Sequence, residues 1–338
     1  ADTPYAAGGG AKAGMPAALA KEVQGALAKG KELLLSAQHA SGGWGDPELG
    51  METSAGYTAM VVMAITGATP SVEVKGDAAI TKGLDFLKGL QKDDGSIWDN
   101  AAYVNYMTSA AVGAYANAKI PAYREVQTKA REFLAKSQIA GDQGDWSYGG
   151  FPYKQDQGQT ADLSNLQFAA QALADAGLEK DHVVWKRLQT YLGRVQNRSE
   201  SNSIALPVEI DGQEQTVVSG DDGGAGYGPG MSKAGHVKRS DGRYEPRSYG
   251  SMTYSLLKCL LLAGVDAEDP RVVAALGWIS RHFVLDRNPG FEATPDAAKA
   301  GQQGWYYYAY TLARTLGEVE KATKKPLVVE SPDGTKHN

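Results

Sequence analysis

A single cysteine, Cys259, stands in 338 residues, so no intramolecular disulfide can staple this chain. It lies inside an apolar helical pattern and reads as a small buried hydrophobe, not a reactive thiol. Long hydrophobic runs are also missing. The longest, Leu256 to Gly264, is broken by Lys258 and Cys259 and falls well short of the ~20 residues needed to span a bilayer. There is no surplus of positive charge. Lysine and arginine number 34 against 39 acids, and both signs are mixed along the chain, which excludes a basic stripe for nucleic acid. The five histidines, His39, His182, His236, His282 and His337, show no metal-ligand spacing, so neither a metal nor a cofactor is expected. Phenylalanine is scarce, at 6 against 17 tyrosines. That balance suits a wet, hydrogen-bonding cavity better than a dry hydrocarbon pocket.

What is present suffices for a packed core, with 42% hydrophobic and 22% charged residues. Residues 1–14 (ADTPYAAGGGAKAG) are small and flexible and resemble a new N-terminus left by signal-peptide cleavage. The expectation is an exported protein, periplasmic or extracellular.

One pattern recurs along the rest. An amphipathic helix ends in Gln, a Gly/Asp-rich turn follows, then an aromatic residue and a second helix. The copies are Gln38–Trp44 (QHASGGW), Gln91–Trp98 (QKDDGSIW) and Gln138–Trp146 (QIAGDQGDW). A fourth opens at Gln196, is interrupted by a polar insertion over 198–222, and resumes at Gly223–Tyr227 (GGAGY). The fifth is degenerate, with His282 in the place of Gln and a turn running through Asn288–Gly290 to Trp305.

The helices alternate in character. The first of each pair, at 17–37, 80–90, 124–137, 183–195 and 271–283, carries charge on one face and apolar residues at spacings of three and four. The second, at 55–66, 103–116, 163–176, 249–264 and 306–316, is nearly uncharged and must be covered all round. Gly67, Gly177 and Gly264 stop three of these. Single hairpins cannot bury such faces, whereas side-by-side stacking can. The predicted class is all-α: an α/α toroid over 15–324, an incomplete ring of about five outer–inner hairpins, followed by an extended tail at 325–338. Val208–Glu214 and Leu327–Gly334 are expected to form minor β-hairpin pieces.

The Gln–Gly–Trp turns, the alternating helices and the DLSN opening at Asp162–Asn165 resemble the prenyltransferase/squalene-oxidase repeat family. That family includes squalene–hopene cyclases, protein prenyltransferase β-subunits and complement-type thioester domains. The resemblance spans about Lys21 to Lys324. It implies that Gln38, Trp44, Gln91, Trp98, Gln138 and Trp146 staple each outer helix to its turn, the Gln amide meeting unpaired helix-end carbonyls while stacking on the indole. The family's reactive motifs are missing. There is no Asp-x-Asp-Asp acid, no Asp-Asp-x-x-Asp magnesium motif, no Asp–Cys–His zinc set around Cys259, and no Gly-Cys-Gly-Glu-Gln thioester turn. The hairpin count is one below the family's usual number, so either the ring is open or another protein chain, or a further segment, closes it.

Connectivity places every inner-helix N-terminus at one end, where partial positive charge and unpaired N–H groups gather. Tyr57, Tyr103, Tyr106, Asn165, Tyr254, Trp305 and Tyr306 stand there as ligand-cavity candidates. Asp162 is the first acid to consider, either as an anchor at the cavity mouth or as a first-turn carboxylate that stabilises its helix. Tyr249 and His236, each a potential base, lie near Arg247 in sequence, which is the equipment for β-elimination on a uronic acid. Three functions follow: an exported ligand- or partner-binding scaffold without catalysis, an isoprenoid cyclase-like enzyme with altered catalytic residues, or a polysaccharide lyase-like enzyme on acidic glycans. The ligand would be a small molecule or a glycan.

Overall fold

The computed structural model describes residues 16–154, 161–324, 328–330 and 334–337. The expected flexible segment at 1–14 lies outside them. The chain is mainly helical with small β insertions, and it divides into two compact units. No helix among the described residues is long and apolar enough to cross a membrane.

The first unit comprises residues 16–137, 153–154 and 171–178. It holds α1 (Ala17–Ser36), a strand pair β1 (Trp44–Asp46) and β2 (Met51–Ser54), α2 (Ala55–Gly67), the short α3 (Ser71–Val74), α4 (Ala78–Gly89), α5 (Val104–Ala118) and α6 (Arg124–Ser137). α2 and α5 pack together, and α4 touches both. α4 starts where the Asp77 carboxylate accepts the Ala79 and Ile80 N–H groups. It buries Ile80, Leu84 and Leu87, each stabilising by roughly 2 kcal/mol. A Cβ at Gly83 would stand 2.6 Å from Val62, so glycine permits the close crossing with α2. α6 buries Val126, Ala130, Phe133 and Leu134 and leaves the Glu125–Lys129 pair outside. α1 departs from expectation. Its apolar spacing predicts one buried face, as in α4 and α6, yet none of its residues is buried and Leu33 is 69% exposed. Its helical neighbour is α2.

The second unit comprises residues 138–152, 161–170 and 179–337. α7 (Leu163–Asp175) begins in it. It also holds α8 (Val183–Val195), β3 (Ala205–Ile210), β4 (Gln213–Val218), β5 (His236–Lys238), β6 (Tyr244–Pro246), α9 (Gly250–Leu262), α10 (Pro270–His282), the short α11 (Ala297–Gln302), α12 (Trp305–Thr323), β7 (Val329–Glu330) and β8 (Lys336–His337). α9 packs against α8, α10 and α12. The insertion forms part of a four-stranded sheet of order β3-β4-β6-β5. β3 and β4 turn at Asp211–Gly212, both with positive φ, as a two-residue hairpin requires. This hairpin is longer than the predicted Val208–Glu214. β7 and β8 pair antiparallel within the predicted tail, although Leu327 and residues 331–333 of that expectation lie outside the described residues.

A clamp repeats four times. Each Gln after an outer helix donates two hydrogen bonds from Nε2, one to a turn glycine and one to the first turn of the next outer helix. Gln38 reaches Gly42 O at 2.8 Å and Ala79 O at 3.0 Å. Gln91 reaches Gly95 O at 3.1 Å and Val126 O at 3.0 Å. Gln138 reaches Gly149 O and Val184 O, both at 3.0 Å. Gln196 reaches Gly223 O at 3.0 Å and Arg271 O at 2.8 Å. The four glycines have φ between 86° and 91°. A Cβ on any of them would collide with the carbonyl of Lys82, Lys129, Arg187 or Ala274, three residues beyond the second acceptor. Glycine is required there by conformation and by contact.

The clamp corrects two sequence registers. Gln196 stands twelve residues after Val184, and the residue twelve after Arg271 is Phe283, not His282. Phe283 is buried and has no side-chain donor. The residues two after each glycine are Trp44, Ile97, Phe151 and Ala225, all buried. Trp98 and Trp146 are therefore not equivalents of Trp44. Trp44 donates from Nε1 to Leu34 O at the end of α1. Trp98 donates to Ser96 Oγ under the Lys92 ammonium, and Trp146 is 39% exposed. The Gln amides work through backbone carbonyls.

Candidate functional site

At four helix openings a later turn of the chain accepts a leading N–H group that the sequence leaves open. Ala55 N donates to Asp99 Oδ2 at 2.7 Å and Asn105 N to Tyr153 O at 3.0 Å. Leu163 N donates to Tyr227 O and Gly250 N to Pro289 O, each at 2.8 Å. Ser251 N finds Asn288 Oδ1 at 2.9 Å. α12 differs: it opens after Gly304 at φ 75°, no side chain caps it, and no later turn meets it among the described residues.

Beside that opening lies a cavity of about 840 Å³, entirely within the second unit. The N-terminal ends of three helices reach its wall, through Ser164 of α7, Ser251 and Met252 of α9, and Gly304 and Tyr307 of α12. Loops add Tyr227, Lys233, Tyr249, Asn288, Phe291, Asp296 and Gln303, and α11 adds Lys299. Tyr249 and Phe291 meet edge to face with centroids 5.1 Å apart. The Lys233 ammonium sits 4.1 Å above the Tyr227 ring, which fixes it on the wall. Among the described residues neither Lys233 nor Lys299 forms an ion pair, and Asp296 is the only carboxylate on the wall. Helix N-termini and two cations make this a place of positive potential. Aromatic and thioether walls supply apolar contact beside it.

Of the residues singled out by sequence, Tyr249 lies on this wall. Asp162 is buried at the start of α7, where Oδ1 accepts the Asn165 N–H at 2.8 Å, the geometry of a helix cap. Asn165 is also buried and ties down the carbonyls of Phe151 and Pro152, each at 2.9 Å. His236 Nε2 is 2.9 Å from Gly230 O. Arg247 borders a separate depression of about 170 Å³ with His282, Asp222 and Glu292. Tyr249, Arg247 and His236 are therefore not gathered in one cavity. Tyr254 is buried edge-on to Tyr308, and burial pushes its hydroxyl well above the ordinary tyrosine range. Trp305 donates to Leu285 O at 2.8 Å, and Tyr306 is 83% exposed. Neither lines the cavity. Tyr57, Tyr103 and Tyr106 belong to the first unit. Tyr57 and Tyr103 are exposed, Tyr103 against the edge of Tyr153, and Tyr106 is half-buried on α5.

Sequence reasoning missed Tyr227, Lys233, Lys299 and Tyr307. Tyr307 was within reach, since it neighbours Tyr306 in the same run. The buried residues Tyr308, Thr311, Thr315 and Val319 set the phase of α12 and turn Tyr306 outward. The two lysines gave no signal, because isolated lysines in polar segments are ordinary surface.

No protein-family model matches the chain, and no curated protein matches it.

Proposed function

We propose that this is an exported binding protein of α/α-toroid architecture whose second unit holds a small ligand, and that it performs no catalysis. The ligand carries an anionic or acceptor group on an apolar, ring-bearing body. The observation that carries the reading is the 840 Å³ cavity, with aromatic walls, two lysines that form no ion pair among the described residues, and a helix N-terminus at its edge that no side chain caps. The toroid is supported by the repeating clamp, which hands each outer helix to the next. It is supported also by the later turns that accept a leading N–H group from α2, α5, α7 and α9. With no family model matching, the squalene-cyclase-like resemblance rests on those hairpins and turns.

Absence of catalysis is supported by where the candidate groups lie. Asp162 is engaged as a cap, and His236 and Arg247 lie off the cavity. The lyase reading needed those groups around one ligand. The isoprenoid-cyclase reading needed a deep hydrocarbon pocket, and this wall carries Lys233, Lys299, Asn288 and Gln303.

The test is calorimetric titration with 2-naphthoate and with its cationic counterpart, 2-naphthylmethylammonium. The native protein should bind one 2-naphthoate saturably and prefer it to the cation. Replacing both Lys233 and Lys299 by Ala should weaken 2-naphthoate about tenfold, roughly 0.7 kcal/mol for each partly exposed charge. Gln303→Trp, at an exposed wall position, should plug the cavity and remove binding. No saturable binding, or binding indifferent to the plug, would sink the proposal.

A further inference from the structure

One hydroxyl on the cavity wall keeps an unspent hydrogen. Ser251, the second residue of α9, is 2% exposed, and Asn288, from the fifth turn, is 4% exposed. Both line the cavity. Two hydrogen bonds join them. Asn288 Oδ1 accepts the Ser251 N–H at 2.9 Å, and Asn288 Nδ2 stands 3.1 Å from Ser251 Oγ.

The first bond fixes the sense of the second. A backbone N–H can only donate, so the carboxamide must turn its oxygen toward it. Nδ2 then faces the serine hydroxyl. An amide nitrogen has hydrogens to give and accepts none, so Nδ2 donates and Oγ accepts. The hydroxyl hydrogen has to point elsewhere. Neighbouring hydroxyls on α9 spend theirs on the carbonyl four residues back. Thr253 Oγ1 donates to Tyr249 O at 3.0 Å, and Ser255 Oγ to Ser251 O at 2.7 Å. For Ser251 that carbonyl is Arg247 O, which accepts the Ser232 hydroxyl at 2.6 Å instead. Among the described residues the Ser251 hydroxyl donates to none. A buried donor without an acceptor is costly, and the cavity is the space from which an acceptor can come.

We infer that Ser251 donates its hydroxyl hydrogen to a carbonyl or carboxylate oxygen of the ligand. Asn288 is the positioning residue that keeps this hydrogen turned away from the protein. The inference rests on the cavity being the ligand site, and it widens the ligand class. Lys233 and Lys299 favour negative charge, whereas a hydroxyl needs only a lone pair. The site therefore takes neutral aromatic carbonyl compounds as well as aromatic acids.

The test uses 2-acetylnaphthalene and 2-isopropenylnaphthalene. Both are uncharged and nearly alike in shape, and a carbonyl oxygen in one replaces a methylene in the other. Their affinities are read by displacement of 2-naphthoate. The ratio of ketone to alkene affinity should fall about fivefold in Ser251→Ala. It should hold in Ser255→Ala, where the lost hydroxyl is buried on the same helix but off the cavity wall. Asn288→Asp should lower the ratio too, because a carboxylate accepts both the Ser251 N–H and its hydroxyl hydrogen. Added to Ser251→Ala, Asn288→Asp should change the ratio little further, since both act on one hydrogen. If Ser251→Ala does not fold, as judged by circular dichroism, Asn288→Asp alone reads that hydrogen. An unchanged ratio in these variants, an equal fall in Ser255→Ala, or additive falls in the double variant overturns the inference while leaving 2-naphthoate binding by the native protein intact. Failure of the native protein to bind 2-naphthoate would instead contradict the cavity reading, and this inference with it.

Discussion

Gln138 shows how much one side chain does here. Its carboxamide is buried between Gly149 O and Val184 O, and Nε2 serves both, while Oε1 meets no partner among the described residues. The unsatisfied oxygen offsets part of what the two bonds contribute. Gln138→Ala should destabilise by about 2–3 kcal/mol in denaturant titration. Gln138→Glu should cost at least as much at neutral pH, since a carboxylate would face two carbonyls. Its stability should recover as pH falls, once the protonated acid can donate. Trp44→Ala should cost about 3–5 kcal/mol, whereas Trp146→Ala, at a partly exposed site, should cost under about 1 kcal/mol. Equal losses at the two tryptophans would contradict the assigned registers. Cys259 is fully buried, and burial pushes its thiol up to about 12. A thiol raised from about 8.5 contributes stability in full below that pH, and the contribution is lost as pH rises toward 12. Native protein at pH 8 should therefore resist a thiol-specific disulfide reagent and react only as fast as it unfolds.

At the scale of elements, the helices were largely legible because amphipathic spacing and the small, uncharged inner runs are long enough to read. α6 and α8 begin and end where the sequence places them. The short strands β1, β2, β5 and β6 were not legible, since three or four residues carry no readable alternation. The turn registers failed for a specific reason. The eye aligns tryptophans, but the fold aligns the glycines at φ near 90° and the Gln residues that clamp beside them. Once the glycines are matched, Ile97 and Phe151 replace Trp98 and Trp146, and Phe283 replaces His282. Gly149→Ala tests the element directly. Its Cβ would stand 1.9 Å from Arg187 O, so the turn must open, and a loss of roughly 3 kcal/mol or more is expected. A neutral effect on the melting temperature would show that the turn is not held against α8.

For the whole molecule, the helix openings differ in how they are covered. At α2, α5, α7 and α9 a later stretch of the chain accepts a leading N–H group. At α12 that cover ends among the described residues, and there the cavity lies. Ser164, Ser251 and Tyr307 on its wall belong to helix openings that the sequence singles out. Most of its residues were not legible, because they come from loops whose placement depends on the packing of α7, α9 and α12. The central claim is that this cavity, rather than the scattered polar groups nearby, receives an acceptor-bearing aromatic ligand. The most direct measurement is an amide-resolved NMR titration of the native protein with 2-naphthoate. Saturable shifts clustered at Tyr227, Lys233, Ser251, Gly304 and Tyr307 are predicted. Shifts that cluster instead around Arg247 and His282, or that never saturate, would contradict it.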